Sequence, residues 1–410
     1  MSTANEGGSP SLTKDRLPPA QPAYVLRGHA AQVHALHFTP DNTRLLTADA
    51  DGWVISWNVA LKRSVAVWRA HGAAILGLGT WGQDRVVTHG RDNKLAVWQL
   101  SVADEDVMDK TLPVNCTSPF PTPKDPWLLH SLTVNTLNFC SFAMCYDTLS
   151  ASLETNDRAR PVLFAIPNTM DSGGIDIFQL PSEKRVSVIQ AEKNTNTGMV
   201  MALGIVAEGS RMLITAGYES GHTMVFTQGD TGAPWQPVYV AQPHTQPVLS
   251  LATSPLQDYY ITSSADAIIA KHPLPSASSM WTTGVRPLKV LQTKHSGRQG
   301  LRIRSDGKIF STAGWDARIR VYSAKTMNEL AVLKWHKEGC YATAFAEIDL
   351  SVVGSAPQEV KTSAPSNQTT VALQTSSLTM VQQRRNERAQ STHWLAAGSK
   401  DGKVSLWDIY

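Results

Sequence analysis

The chain has 410 residues, of which 42% are hydrophobic and 17% are charged, so it can bury a large core. The formal net charge is only +3, and no basic stripe interleaved with aromatic side chains occurs, which argues against direct nucleic-acid binding. The four cysteines lack the paired spacing of zinc sites and are predicted to be free, buried thiols. The chain has no signal peptide and no apolar run of about 20 residues, so we expect an intracellular protein without a membrane role.

The predicted elements begin after a Ser-, Gly- and Pro-rich stretch, residues 1–21, which is expected to be a disordered tail. A short strand at Tyr24–Leu26 has no partner nearby in sequence. The segments Val33–Phe38 and Arg44–Thr47 then read as two strands joined by a turn. A tight turn follows, then a strand ending at Trp57 and a more polar fourth strand at Arg63–Trp68. The first unit is therefore a set of four short antiparallel strands.

This unit recurs along the chain, because an acidic residue stands six residues before an aromatic or polar residue in several places. The five regular copies are Asp51 to Trp57, Asp92 to Trp98, Asp266 to His272, Asp316 to Tyr322 and Asp401 to Trp407. Two looser copies with one inserted residue are Asp171 to Phe178 and Glu219 to Phe226. A histidine stands upstream of several units, beginning with Gly28-His29. The repeat predicts seven units.

The pattern resembles the WD-repeat family, whose Gly-His and Trp-Asp signatures flank units of about 40 residues that form a β-propeller. We therefore predict an all-β fold, a seven-bladed WD-repeat β-propeller over residues 22–410. The amino-terminal strand is predicted to complete the last blade, because the chain stops after that blade's third strand. Apolar residues of the inner strands are expected to fill the space between blades: Leu36, Phe38, Leu76, Leu78, Leu249, Leu251 and Phe345.

The resemblance implies that a histidine, a turn aspartate, a Ser or Thr and a tryptophan are hydrogen-bonded inside each blade. The residues assigned to this structural network are His29, Thr47, Asp51, Trp57, His71, Asp92, Trp98, His295, Asp316, Tyr322, Asp401 and Trp407. Because the pair of His and Asp recurs once per unit, a structural role is favoured over catalysis. No catalytic or nucleotide-binding motif occurs, so we expect no enzyme activity, no cofactor, no metal and no small-molecule substrate.

Two insertions interrupt the period, at residues 101–126 and 347–391, and a third long connection spans Asp147–Arg160. In the propeller strand order all three leave the same face. They are either solvated loops or a surface that docks a partner, to which the basic run Arg384–Arg388 would contribute. The segment Trp315–Arg318 matches the WDxR box of ubiquitin-ligase receptors, but its aspartate falls in a turn, so the match is interpreted as coincidental.

The chain is most similar to the ASTRA-associated WD-repeat family of fungi, which is akin to the guanine nucleotide-binding protein β-like proteins. The stretches that carry this resemblance are residues 24–29, 46–53, 89–98, 171–176, 216–219 and 399–403. It implies a non-catalytic scaffold subunit of the ASTRA complex in the nucleus, linked to chromatin remodelling and to maturation of phosphatidylinositol-kinase-like kinases. The implied partners are a kinase-like protein, cochaperones and AAA+ ATPases. The alternatives are an adaptor of another pathway, such as a ubiquitin-ligase substrate receptor or a signalling β-subunit, and a propeller enzyme.

Overall fold

Seven four-stranded antiparallel sheets make up the protein, as the repeat predicts. The computed structural model describes residues 20–115, 124–135, 139–148, 160–208, 211–228, 233–275, 286–348 and 370–409. The sheets are the blades of a β-propeller, so the predicted fold class is confirmed. Most of the predicted tail lies outside the described residues.

The strands of the first three blades follow the chain in order. Blade one contains β2 (Val33–Phe38), β3 (Arg44–Asp49), β4 (Trp53–Asn58) and β5 (Arg63–Arg69). Blade two contains β6 (Ile75–Thr80), β7 (Arg85–Gly90), β8 (Lys94–Gln99) and β9 (Trp127–Thr133). Blade three contains β10 (Ala143–Tyr146), β11 (Val162–Pro167), β12 (Ile175–Leu180) and β13 (Lys184–Ile189).

Blades four to six have the same organisation. Blade four contains β14 (Val200–Glu208), β15 (Arg211–Tyr218), β16 (Thr223–Gln228) and β17 (Trp235–Ala241). Blade five contains β18 (Val248–Thr253), β19 (Tyr259–Ser264), β20 (Ile268–Pro273) and β21 (Lys289–Gln292). Blade six contains β22 (Arg298–Ile303), β23 (Ile309–Gly314), β24 (Ile319–Ser323) and β25 (Glu329–Leu333).

Blade seven joins the two ends of the chain. Its strands are β26 (Cys340–Phe345), β27 (Trp394–Ser399), β28 (Lys403–Asp408) and, from the amino terminus, β1 (Tyr24–Arg27). β1 pairs antiparallel with β28, with Leu26 opposite Val404. Leu26 is buried in a core cluster shared by blades seven and one. The ring is thus closed by the amino-terminal strand, as predicted.

A β-bulge near the start of the inner strand occurs in six of the blades, for example between Ile75 and Gly77 and between Val248 and Ser250. The bulge breaks the strict alternation of side chains between two faces. As a result Leu76 and Leu249 are only partly buried at the central channel, whereas their neighbours Leu78 and Leu251 are buried, and the prediction that Leu76 and Leu249 fill the space between blades is wrong. Leu36, Phe38, Leu78 and Leu251 are buried between blades, and Phe345 is partly buried against the same core.

The insertions leave one face of the disc, which we call the lower face. Residues 101–126 connect β8 to β9, the third and fourth strands of blade two, and contain 3-10 helices at Val102–Asp106 and Pro113–Asn115. Residues 347–391 connect β26 to β27, the first and second strands of blade seven, and contain α1 (Thr370–Ser391). In a sheet of four antiparallel strands the first and third connections lie at the same end. Both insertions therefore share the lower face.

We predict that deleting residues 1–27, which removes β1, destabilises the whole ring. The deletion exposes the apolar surface under Leu26 and leaves one edge of β28 unpaired. We expect the melting temperature to fall by about 10 °C or more, measured by circular dichroism. A deletion of residues 1–19, which keeps β1, is the matched control, and equal melting temperatures for the two truncations would contradict the closure.

Candidate functional site

A chain of buried polar side chains holds blade one together. The His29 imidazole lies with Nε2 at 2.6 Å from the Thr47 hydroxyl and with Nδ1 at 2.7 Å from a carboxylate oxygen of Asp49. The Trp57 indole N–H donates to the same hydroxyl at 2.9 Å. Every member is buried, and a buried polar group that loses its partner costs about 1–3 kcal/mol. These contacts give the network a structural role.

The carboxylate in this network belongs to Asp49, and the prediction of Asp51 is wrong. Asp49 is the last residue of β3 and is fully buried, and its Oδ1 accepts hydrogen bonds from the backbone N–H groups of Asp51 and Trp53 at 3.0 Å. Asp51 lies in the exposed turn. The spacing selected the wrong aspartate because one ends β3 and the other lies two residues later in the turn, and only the fold shows which one faces His29.

Blade two has the same arrangement with the residues that the spacing selects. His71 contacts Asp92 at 2.8 Å and the Thr88 hydroxyl at 2.7 Å, and the Trp98 indole N–H donates to Thr88 at 2.9 Å. Here Gly90 stands where blade one has Asp49, so the turn aspartate two residues later reaches the histidine. Both blades therefore pair a buried histidine with a carboxylate, but the carboxylate stands at a different position of the repeat in each blade.

Blade five extends its network into the neighbouring blade. His244 contacts Asp266 at 3.2 Å and Thr262 at 2.8 Å, and His272 replaces the usual tryptophan at 3.0 Å from Thr262. The second nitrogen of the His272 ring lies 2.9 Å from the Tyr239 hydroxyl on β17 of blade four. Because imidazole has two polar nitrogens and indole has one, this substitution creates a hydrogen-bonded link between blades.

Blade six departs from the prediction. His295 is about half exposed and its Nδ1 is 3.9 Å from Asp316, so it lies outside the buried network. Arg298 takes the interior position: its guanidinium donates to Thr312 at 3.1 Å and lies over the Tyr322 ring. Asp316 pairs with Arg320 at 2.7 Å. Sequence reasoning missed Arg298 because it searched only for histidine.

Blade seven replaces the threonine position by Ala397, and its hydroxyl comes from Ser405 on the third strand. The Ser405 oxygen lies 2.7 Å from His336 Nε2 and accepts the Trp407 indole N–H at 2.8 Å. Asp401 pairs with Lys403 at 2.6 Å, so the predicted contact of Asp401 with the blade histidine is not the one formed. Blades one, two and seven therefore share a buried hydroxyl, which comes from the second strand in blades one and two and from the third strand in blade seven.

The looser units three and four form complete blades with other polar contacts. In blade three the Asn168 amide donates to Asp176 at 2.8 Å, and Asn168 O accepts from Asn135 at 2.6 Å. In blade four the Glu219 carboxylate accepts the Met199 backbone N–H at 3.2 Å. The missing tryptophans therefore leave the strand order unchanged.

Two buried histidines are held neutral. Burial lowers the pKa of His89 to about 3, and it lowers the pKa of His272 to about 3 as well. Both side chains are fully buried. In an unfolded chain the histidine pKa has its ordinary value of about 6.5. Below this pH the unfolded chain therefore binds protons at these histidines, whereas the folded protein keeps them neutral.

The first part of the insertion in blade two forms an ordered strap, residues 101–115, across the outer edge of blade one. Glu105 forms a two-pronged ion pair with Arg44 at 2.6 and 2.7 Å. Met108 is buried between blades one and two. The backbone N–H of Val67 on β5 donates to Asp109 O at 2.8 Å. Of the two alternatives, the solvated loop therefore does not describe residues 101–115, and the docking surface stays a prediction.

The helix α1 projects from the lower face and is anchored near its end. Ala389 is buried in the core cluster of blades seven and one, and Gln390 donates to Asp41 O at 3.2 Å. Asn42 donates to Gln390 O at 3.1 Å. All side chains from 380 to 388 are exposed, including Arg384, Arg385 and Arg388. An α-helix of this length reaches about 33 Å, and the described side chains at 380–388 give α1 an exposed basic surface.

The structure also locates the WDxR match and three of the four cysteines. Trp315 lies in the turn between β23 and β24 and donates to Gln299 at 2.9 Å, so the WDxR match is in a turn, as interpreted. Cys140 and Cys340 are buried free thiols and Cys145 is partly buried, whereas Cys116 lies outside the described residues. Within the described ranges, no group of three or more His, Cys, Asp and Glu side chains forms a metal site. Among the same residues, no helix has the length and apolarity to span a membrane.

Comparison with known proteins matches residues 22–407 to the family model of ASTRA-associated protein 1. The chain belongs to the ASTRA-associated protein 1 family. The relative from Penicillium rubens is 49% identical over 96% of this chain and 98% of that protein. The relative from Aspergillus niger is 47% identical with the same coverage, and that from Schizosaccharomyces pombe is 33% identical over 79% of this chain and 93% of its own. The family match thus spans the whole propeller.

The two aspartates of blade one provide a direct test of the network. We expect Asp49→Asn to lower the free energy of unfolding by about 2–3 kcal/mol, because the variant weakens a buried hydrogen bond to His29. Asp51→Asn changes an exposed side chain, and we expect a change within about 0.5 kcal/mol. Urea unfolding measures both, and an equal loss for the two variants would restore Asp51 to the network.

The buried histidines predict acid sensitivity. Because the folded pKa of His272 lies below the unfolded value, its contribution is lost as pH falls from about 6.5 toward 3. Lowering the pH from 7 to 5 should reduce stability by about 2 kcal/mol for each such histidine. Urea unfolding at both pH values should show a smaller drop for His272→Gln than for the wild type. Identical drops would contradict the assignment.

Proposed function

We propose that this protein is a non-catalytic scaffold subunit of the ASTRA complex, acting in the nucleus in chromatin remodelling and in the maturation of phosphatidylinositol-kinase-like kinases. The proposal rests first on family membership over residues 22–407, since the relatives carry the name ASTRA-associated protein 1. The partners proposed are a kinase-like protein, its cochaperones and AAA+ ATPases.

The single structural observation that supports scaffolding is the projection of α1 from the lower face. Residues 380–388 contact no core, whereas Ala389 and Gln390 fix the base of the helix to the disc. Most helical stability in proteins comes from tertiary packing, so a helix with an exposed surface gains stability from a partner that covers it. The anchored base sets the direction of the helix, and the exposed part is the docking element.

The lower face combines this helix with the strap. The strap is fixed to blade one by the Arg44–Glu105 pair, and the rest of the same insertion continues from it to β9. The third long connection, between β10 and β11 of blade three, leaves the same face. Blades seven, one, two and three therefore contribute to one continuous docking side, which suits simultaneous contact with more than one protein.

The test is affinity purification of the tagged full-length protein from nuclear extract, with mass spectrometry of the retained proteins. We expect recovery of a kinase-like protein, cochaperones and AAA+ ATPases. Recovery of cullin adaptors or of heterotrimer subunits instead would overturn the ASTRA proposal in favour of another pathway.

A loop variant tests the docking side. Residues 349–386 are replaced by a flexible linker of about 10 residues, which spans roughly 18 Å and keeps the anchored end of α1. We expect at least one partner to be lost. The matched control shortens residues 193–196 on the opposite face, where all partners should be retained. Retention of every partner by the α1 variant would exclude the lower-face helix as a docking element.

A further inference from the structure

A groove lies at the closing seam of the ring, between β1 of blade seven and β5 of blade one. Its volume is about 840 Å³. Tyr24, Val25 and Leu112 give it an apolar lining, and Trp57 lies beneath them. Leu112 comes from the strap, so three separate parts of the chain meet in this seam groove.

The charge at the rim has one sign. Arg27, Arg63 and Lys110 are exposed at the seam groove, and none of them forms an ion pair with a described residue. Among the described residues that line it there is no Asp or Glu. The fourth cation, Lys62, is already engaged, because it donates to Val59 O and lies 4.1 Å from the centre of the Trp394 ring. Three free cations over an apolar floor suit a ligand with carboxylates around an apolar side chain.

The backbone at the seam groove also has a free edge. β1 pairs on one side with β28, and its other edge forms no backbone hydrogen bond with the described part of the chain. An exposed strand edge is a template for an added extended segment. The strap bonds to the neighbouring edge of β5 through Val67 and Ser64, and it meets the chain just after β1, where Gly28 O accepts the Val114 backbone N–H at 3.0 Å. Within Tyr24–Arg27 itself, the edge of β1 stays open beside the strap.

The strap is an example, within this protein, of a segment that docks on the outer edge of a blade. Between residues 104 and 109 it carries four acidic residues and two apolar ones. It docks by pairing Glu105 with Arg44, by burying Met108 and by bonding its backbone to the outer strand. The seam groove offers the same three contacts, a cation, an apolar recess and a strand edge, and they are not used by the described chain.

We infer that the seam groove binds an extended acidic segment of a partner protein, which adds to the edge of β1, places an apolar side chain beside Tyr24 and Leu112, and pairs its carboxylates with Arg63 and Lys110. This inference deepens the proposed scaffold function on which it rests, because it names the chemistry of one partner contact.

The experiment selects ligands from displayed random peptides of about eight residues, using the purified full-length protein. We expect the enriched sequences to hold at least two acidic residues around an aliphatic or aromatic one. Fluorescence anisotropy of an enriched, labelled peptide then gives the affinity. The double variant Arg63→Glu, Lys110→Glu should weaken binding by about tenfold or more. The matched control is Lys184→Glu, an exposed cation on the outer strand of blade three, which should leave the affinity unchanged.

A second measurement separates strand addition from simple charge attraction. Two versions of the enriched peptide are methylated on alternate backbone nitrogens, because only one set of N–H groups faces β1 in an added strand. We expect one version to lose about tenfold in affinity and the other to keep it. Unchanged melting temperatures show that the protein variants fold.

The results that overturn the inference are distinct from those that overturn the ASTRA proposal. Enriched peptides without acidic residues, binding that the double variant leaves intact, or equal affinity of both methylated peptides would each exclude the acidic strand. Each of these results is compatible with recovery of ASTRA proteins in the purification. The inference about the seam groove can therefore be wrong while the ASTRA proposal still holds.

Discussion

Pairing of β1 with β28 is the contact on which the rest of the structure depends. A single four-stranded sheet cannot bury both of its faces, so each blade relies on its neighbours to cover it. An open ring would leave blades one and seven with uncovered faces, and the cluster around Leu26 would be exposed. Four residues near the amino terminus thereby pair with a strand that lies about 380 positions away in the sequence.

Within the blades, buried polar side chains are hydrogen-bonded to one another, but the residues that form these networks differ from blade to blade. Each well-formed network places a hydroxyl where buried polar groups converge, but the hydroxyl is Thr47 on the second strand of blade one and Ser405 on the third strand of blade seven. The side chain that contacts the hydroxyl from outside its own strand pair is His29 in blade one and Arg298 in blade six. Burial enforces pairing of polar atoms, and it does not prescribe which side chain supplies them.

The surfaces that point toward function lie in the insertions and at the closing seam of the ring. The strap returns from blade two to cover blade one, and α1 stands on the lower face with Ala389 packed and the side chains of residues 380–388 exposed. The helix, the strap and the seam groove are the proposed contact surfaces, and all three lie where blades seven, one and two meet. Family membership points to association with the ASTRA complex, and the exposed helix and the strap support the proposed role of the disc as a scaffold.

The sequence by itself determined the seven blades, the amino-terminal closure and the positions of both insertions, because strand periodicity and the repeated Asp-to-aromatic spacing are local signals. It also selected His71, Asp92 and Trp98 as partners. Only the tertiary structure decided that Asp49 replaces Asp51, that Arg298 replaces His295, and that Leu76 faces the channel. Those choices depend on which side chain a turn or bulge directs inward. The strap and the seam groove likewise join segments from distant positions, and no local pattern encodes their contact.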